Sequence, residues 1–409
     1  MRLSSNQIFN QGVDSILDTQ ERLVKAQDRI AKQTKILTPS DDPAATAQVM
    51  RLNEKIELTK QYETNATILT NHLNREEVAI NTIKDAMERA KVLTIQAGSG
   101  SLSDADRLGL NAEIRNIIDE VYDAMNTRNS NGDYIFAGFQ SKTQPFVYNA
   151  ATNVYDYQGD EGELKLQISS SVQLSAGDNG KKLFEDVDAR LQTTNLAIIP
   201  AVGTPQITTS SQGAFDVFHN NNYDPVTPAN NNYSVVMNAG NTYSVLNNGA
   251  PMAPPVGGPF DPDQGVNFQG MNIKAVGAAL PTQVDFTLST PSKKNILTTL
   301  NDLSQALIVP GGFTPAMNES LSDAMVQITN SAAQVAVVQS SIGGRLNVAE
   351  SIMESNIEIN HANQKTRADL AEIDYSTAVT DLMREESALE AAHATFGRVS
   401  NLSLFDFIR

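Results

Sequence analysis

The chain has 409 residues, with 47 acidic and 30 basic side chains and a formal net charge of −17. Such a polyanion lacks the clustered Lys and Arg that neutralise phosphates, which excludes nucleic acid and anionic lipid surfaces as partners. With no Cys and four His, disulfides, thiolate metal sites and cysteine nucleophiles are ruled out, and a His-based metal centre has little to draw on.

Residues 1–136 read as a helical flank. Phe9, Val13, Ile16, Leu23, Ile30 and Leu37 recur at heptad spacing, which predicts a first helix over about 5–36. Gln20, Gln27 and Thr34 interrupt that seam, so the helix pairs weakly if left alone. Pro39 stops it. Asp42 is a good N-cap, and Pro43 suits the first position of a second helix over about 43–97. Leu69, Leu73, Ile80, Ile83, Met87 and Ala90 share one face of that helix. Ser103 with Asp106 resembles a capping box and opens a third helix, about 104–130, striped by Ile114, Ile117, Ile118, Val121 and Met125. No apolar run reaches the ~18 residues of a membrane span, and the first residues lack the apolar core of a cleaved signal.

The middle has a different composition. Residues 137–304 hold 14 of the 24 Gly and 12 of the 16 Pro. Runs such as 145–149, 153–159 and 283–289 alternate or are β-branched, which predicts short strands joined by Asn-, Asp- and Gly-rich turns. The Asn- and Pro-rich stretch near 186–264 reads as a loop-heavy lobe. Residues 292–308 read as a short amphipathic helix. No nucleophile elbow, zinc-protease, phosphate-loop or dinucleotide fingerprint occurs. Asp261 and Asp263 have calcium-like spacing, but Pro262 and the missing downstream ligands break that pattern. Asp41 and Asp42 read as helix caps, not as an acid/base pair. This reading assigns no catalytic, cofactor-binding or metal residue, and no enzyme.

Residues 305–409 form a second helical flank, with a long helix predicted over about 318–399. Val379, Leu382, Leu389, Phe396 and Val399 stripe its later part, and an apolar tail follows: Leu402, Leu404, Phe405, Phe407 and Ile408. The fold class is α+β: an elongated helical core from the two flanks, with a β-rich domain inserted between them. A helix that long needs partners, and polar seam positions suit helices that order on assembly. Phe9, Val13, Ile16, Leu23, Ile30, the C-terminal stripe and the tail are therefore the candidate assembly contacts.

Three stretches carry a resemblance. The start MRLSSNQIF with Pro39-Ser40-Asp41-Asp42-Pro43, the run Asn131-Gly132-Asp133-Tyr134-Ile135-Phe136-Ala137-Gly138 followed by Pro145-Phe146, and the apolar ending are similar to the hook–filament junction branch of the flagellin superfamily. The resemblance implies a flagellin-like helical core and a structural subunit of the bacterial flagellum, acting as a mechanical adaptor between hook and filament. It implies export without a cleaved signal to an extracellular position. It also implies self-association in a ring, the first hook-associated protein as neighbour on the hook side, flagellin and the filament cap protein on the distal side, and a cytosolic export chaperone. A flagellin or minor filament subunit is the nearest alternative. A secreted adhesin or carbohydrate-binding protein is a more distant one.

Overall fold

The computed structural model describes residues 5–310 and 313–407. Three helices come first: α1 (Ser5–Lys32), α2 (Pro43–Ala97) and α3 (Asp104–Met125). Strands β1 (Phe146–Asn149), β2 (Val154–Tyr157), β3 (Lys165–Gln167), β4 (Gln173–Ser175), β5 (Thr193–Ile199) and β6 (Thr204–Thr209) lead to helix α4 (Gln212–Asn222). Then come β7 (Asn232–Met237), β8 (Thr242–Asn247), β9 (Ala250–Pro251), β10 (Gly257–Pro259), β11 (Val266–Phe268), β12 (Met271–Val276) and β13 (Thr282–Leu288). Helices α5 (Ile296–Leu307), α6 (Pro315–Ala371) and α7 (Tyr375–Phe407) close the chain. The fold is thus α+β, with helical flanks from both chain ends and a β-rich insertion.

The helices start where the sequence places caps. Asp42 Oδ1 accepts from Ala45 N at 2.9 Å, and Asp41 Oδ2 accepts from Leu37 N and Thr38 N at 3.0 Å each. Those donors, Thr38 foremost, hold the exposed Asp41 carboxyl below the usual carboxylate range. Ser103 and Asp106 form a reciprocal capping box on α3.

Contacts divide the chain into two units. One holds residues 1–71, 165–174 and 345–409; the other holds 72–164 and 175–344. The division cuts α2 and α6 partway along, so it does not follow the composition boundaries at 136/137 and 304/305. Composition reports local propensity, whereas units are set by which faces find partners.

Three departures from the sequence reading have physical causes. The helix expected over 318–399 is two helices, α6 and α7, broken at Glu372–Asp374. Asp374 caps the second: its Oδ1 accepts from Ser376 N at 3.0 Å. Helix α1 ends at Lys32 because Gln33 takes φ +56° and the next residues pair elsewhere. Helix α3 ends at Met125, where Asn126 turns its side chain to β1: Oδ1 accepts from Phe146 N at 3.0 Å.

The stretch near 186–264 is also more ordered than its composition suggests. It supplies β5 to β10 and α4. Asn241 and Asn248 sit at turns with φ values of 54° and 47°, and Asn195, at φ 55°, sits at a bulge within β5. Asn tolerates that left-handed region better than other non-glycine residues. In one sheet β10, β8, β7, β13 and β5 lie in that order with β9 on β8; in a second, β11, β12 and β6 do. All pairings are antiparallel. Strand β13 alternates strictly, with Thr282, Val284, Phe286 and Leu288 inward. Phe215 and Phe218 of α4, Tyr233 and Val235 of β7, and Phe268 and Met271 of the second sheet complete one core. Each fully buried side chain of that size contributes ~1.5–3 kcal/mol.

The same unit contains the helical core. Leu73, Ile80, Ile83, Met87 and Ala90 of α2 and Ile114, Val121 and Met125 of α3 are almost completely buried, as their spacing predicts. Leu297, Leu300 and Leu303 of α5 and Leu321, Ile328 and Ile342 of α6 bury with them.

Candidate assembly interface

The two chain ends meet in one unit. Helix α1 lies along α7, and the Phe9 and Phe396 ring centroids are 5.2 Å apart. Val13, Ile16, Leu23 and Ile30 are half-buried, as are Leu382, Leu389 and Phe396. The structure therefore brings the two predicted stripes together within one chain. Polar partners complete the seam. Thr19 is buried and donates to Ser15 O at 2.7 Å; Arg22 Nε donates to Glu385 Oε2 at 3.1 Å. That ion pair is partly exposed and fixes register more than it stabilises.

The open ends of α1 and α6 are clasped beside the seam. Lys35 N donates to Ala371 O at 2.8 Å, Thr34 Oγ1 to the same carbonyl at 3.0 Å, and Gln33 Nε2 to Tyr375 Oη at 3.2 Å. Below it, buried amides of α6 reach two partners: Asn360 Nδ2 donates to Glu63 Oε1 of α2 at 3.1 Å, and Asn356 Nδ2 donates to Ile168 O, just after β3, at 2.9 Å.

Spacing alone missed a second apolar set. Leu17 and Val24 of α1 are exposed at 57% and 49%, and Val379 and Met383 of α7 are exposed as well. They lie outside the paired seam, a turn or less from it. Val379 belongs to the stripe that the spacing predicts, yet it is exposed. Of the tail, Leu402, Leu404, Phe405 and Phe407 fall within α7 with side chains outside the described set, and Ile408 lies outside the described residues.

The Tyr134–Gly138 motif is a packing knot in the other unit. Phe136 and Ala137 are fully buried, and Phe184 makes edge contacts with Phe136 and Phe146 at 5.2 and 5.8 Å. Tyr157 Oη lies 2.9 Å from both Phe136 O and Asp160 O, donating to one at a time. Its burial pushes the phenol up to about 12. Gly138 has φ +68°, and a Cβ there would meet Asp160 Oδ1 at 2.2 Å, so only glycine fits. Ile135 N donates to Thr127 O at 3.1 Å, and Arg128 stacks on Tyr134 at 4.3 Å. The run is a scaffold element.

Among the described residues, no group of three or more His, Cys, Asp or Glu is placed to hold a metal ion, and no helix is long and apolar enough to cross a membrane. Asp261 Oδ1 accepts from Asp263 N at 2.9 Å, which makes that pair a turn.

Comparison with known proteins agrees with this architecture. Residues 3–141 match the bacterial flagellin N-terminal helical region. Flagellar hook-associated protein 3 of Escherichia coli (strain K12) is 28% identical over 218 residues, covering 50% of this chain and 68% of that protein. Its namesake from Salmonella typhimurium is 29% identical over 187 residues, covering 46% of this chain and 58% of that one. The crystal structure of Xanthomonas campestris FlgL superposes with a TM-score of 0.59 at 20% identity, covering 78% of this chain and 99% of that chain.

Proposed function

We propose that this chain, a relative of flagellar hook-associated protein 3 with the flagellin-type N-terminal helical region, is a structural subunit of the bacterial flagellum at the junction between hook and filament. It works as a lattice adaptor and carries no catalysis. The observation that carries this reading is the pairing of the two chain ends as α1 and α7, with Leu17, Val24, Val379 and Met383 left uncovered. Two helices cannot enclose a core between them, so the uncovered residues are satisfied by neighbouring subunits.

On this reading copies self-associate in a ring through α1 and α7. The first hook-associated protein lies on the hook side, and flagellin and the filament cap protein lie on the distal side. Phe9, Val13, Ile16, Leu23, Ile30, Leu382, Leu389 and Phe396 set the pair, and Leu17, Val24, Val379 and Met383 contact the neighbours. A cytosolic chaperone covers the apolar C-terminal residues before export, which proceeds without a cleaved signal. Ordering the ends on incorporation offsets part of the interface energy and makes assembly depend on the growing template.

The test is electron microscopy of cells lacking the gene, with an assay for flagellin in the medium. Bare hooks and shed flagellin are expected. Normal filaments would overturn the reading and favour a minor filament subunit. Removing about the first thirty or last thirty residues should leave a soluble monomer that does not incorporate.

A further inference from the structure

The unit built from both chain ends carries two charged rows of opposite sign. On α6, Glu350, Glu354 and Glu358 recur at every fourth residue, and all three are exposed. Like charges at that spacing repel and weaken a helix. Among the described residues, no basic side chain pairs with any of the three. Met353 and Ile357 border the row and are exposed at 36% and 38%. On α1, Arg22, Lys25, Arg29 and Lys32 recur at steps of three and four, and all four are exposed. Residues 22–35 hold five basic side chains and one acidic, and no stretch of that length outside them holds more than three basic ones. Arg29 makes no ion pair among the described residues and acts on Asp41 at a distance. The others make surface pairs: Arg22 with Asp18 at 3.7 Å and Glu385 at 3.1 Å, Lys25 with Glu21 at 2.8 Å, and Lys32 with Asp28 at 3.8 Å. Exposed pairs of this kind hold weakly and exchange for better partners.

We infer that the acidic row on α6 receives the basic row on α1 of a neighbouring copy. The inference rests on the self-association proposed above and names the surface that α1 meets. Charge and length select a second copy as the occupant. A chain of net charge −17 repels its own copies over most of its surface, so a contact between copies has to use its densest basic stretch. The rows also match in length: Glu350 to Glu358 spans ~12 Å and Arg22 to Lys32 ~15 Å at the rise of an α-helix. Within one copy α1 is paired with α7, and no ion pair joins the two rows. The Lys and Arg stems can lie over Met353 and Ile357 while their heads reach the carboxylates. Because the rows are different surfaces, the contact is head to tail: each copy keeps one row for the next, which continues into a ring. Exposed ion pairs are individually weak, so the contact is weak between two free copies and gains from the high local concentration of an assembly.

Sedimentation velocity of the full chain across micromolar to millimolar concentrations tests this. The expected result is a weight-average sedimentation coefficient that rises with concentration at about 0.01 M salt and stays flat at about 1 M, where charges are screened within a few ångströms. Lys25→Glu/Arg29→Glu and Glu354→Lys/Glu358→Lys should each be flat alone. An equimolar mixture of the two should rise again to the wild-type level, because the intact acidic row of one meets the intact basic row of the other. The mixture removes misfolding as an explanation, since both variants must be native to pair. A flat wild-type profile at low salt overturns the inference. So does a rise that neither variant alters, which would assign self-association to Leu17, Val24, Val379 and Met383. A rise lost in the α1 variant but kept in the α6 variant also overturns it, since α1 would then meet another surface. The junction reading stands or falls separately: normal filaments in cells lacking the gene overturn it whatever the sedimentation shows, whereas bare hooks with a flat profile remove the α1–α6 contact alone.

Discussion

The Phe396 ring covers Gly12 so closely that a Cβ at position 12 would meet its Cδ2 atom at 2.8 Å. A glycine in mid-helix ordinarily weakens the helix by ~1 kcal/mol relative to Ala. Here its small size admits the aromatic ring that ties the two chain ends.

Gly12→Leu is therefore expected to loosen the pair despite its better helix propensity. Overpacking at such a site costs roughly 1–3 kcal/mol. Amide exchange along α1 should quicken in Gly12→Leu and slow again in Gly12→Leu/Phe396→Ala. Unchanged exchange in the single variant would mean that the ring moves aside freely.

A second expectation concerns Gly138. Its φ of +68° and the Asp160 contacts both oppose a side chain. Gly138→Ala should cost roughly 2–4 kcal/mol, from left-handed strain plus a clash with Asp160. Thermal unfolding measures it, with Gly132→Ala as the comparison: its φ is +82° but no atom stands within 4 Å, so the loss there is smaller.

The lobe is tied to α6 by Arg190, whose side chain is 2% exposed and pairs with Glu319 and with Asp323, the latter at 2.6 Å. Both carboxylates are partly exposed. Removing them leaves a buried guanidinium unpaired, whereas removing Arg190 leaves carboxylates that water can reach. Glu319→Ala/Asp323→Ala should therefore lower the urea midpoint more than Arg190→Met, by about 3 against about 1 kcal/mol. Equal losses would contradict this asymmetry.

His219 gives the lobe a pH dependence. It is fully buried, Nε2 lies 2.8 Å from Ser289 O, and Nδ1 has no hydrogen-bond partner. Burial lowers its pKa below the usual 6.5, opposed by the Ser289 bond and by Asp216. Above about pH 6.5 native and unfolded chains are both neutral at this residue. Below that, the unfolded chain takes up the proton and the native lobe does not, so stability falls with pH until the native pKa is reached. His219→Gln, which keeps a donor for Ser289 O, should flatten that part of the profile. A proton NMR titration with the ring ionising at or above 6.5 would contradict it.

How much of this was legible follows from the range of each interaction. Asp42, Ser103 and the α2 and α3 faces act within a turn or two, and their residues announced them. The break at Glu372–Asp374 was not legible, because the apolar pattern runs on across it. What fixes the break is a clasp to Thr34 and Lys35, some 340 residues away in sequence. The order of the 193–288 lobe was hidden for a related reason. Its Asn-rich composition is that of a loop, and only the pairing of β13 between β5 and β7 shows that those Asn serve hairpin turns. Of the candidate contacts, the seam was readable by period. Leu17 and Val24 were not, because a heptad template assigns each helix one face.

The chain enters and leaves the lobe side by side. Gln192 N donates to Ser289 Oγ at 3.1 Å, Ser289 N to Gln192 O at 3.0 Å, and Ala189 N to Ser292 O at 2.9 Å. Such a doorway makes the intervening 96 residues a cassette. Any folded sequence whose termini lie as close together can be spliced between Gln192 and Ser289 without shifting the helices on either side. A fluorescent domain or an epitope carried there would travel with the helical scaffold, and the lobe itself can diverge, shrink or be exchanged while the scaffold stays fixed.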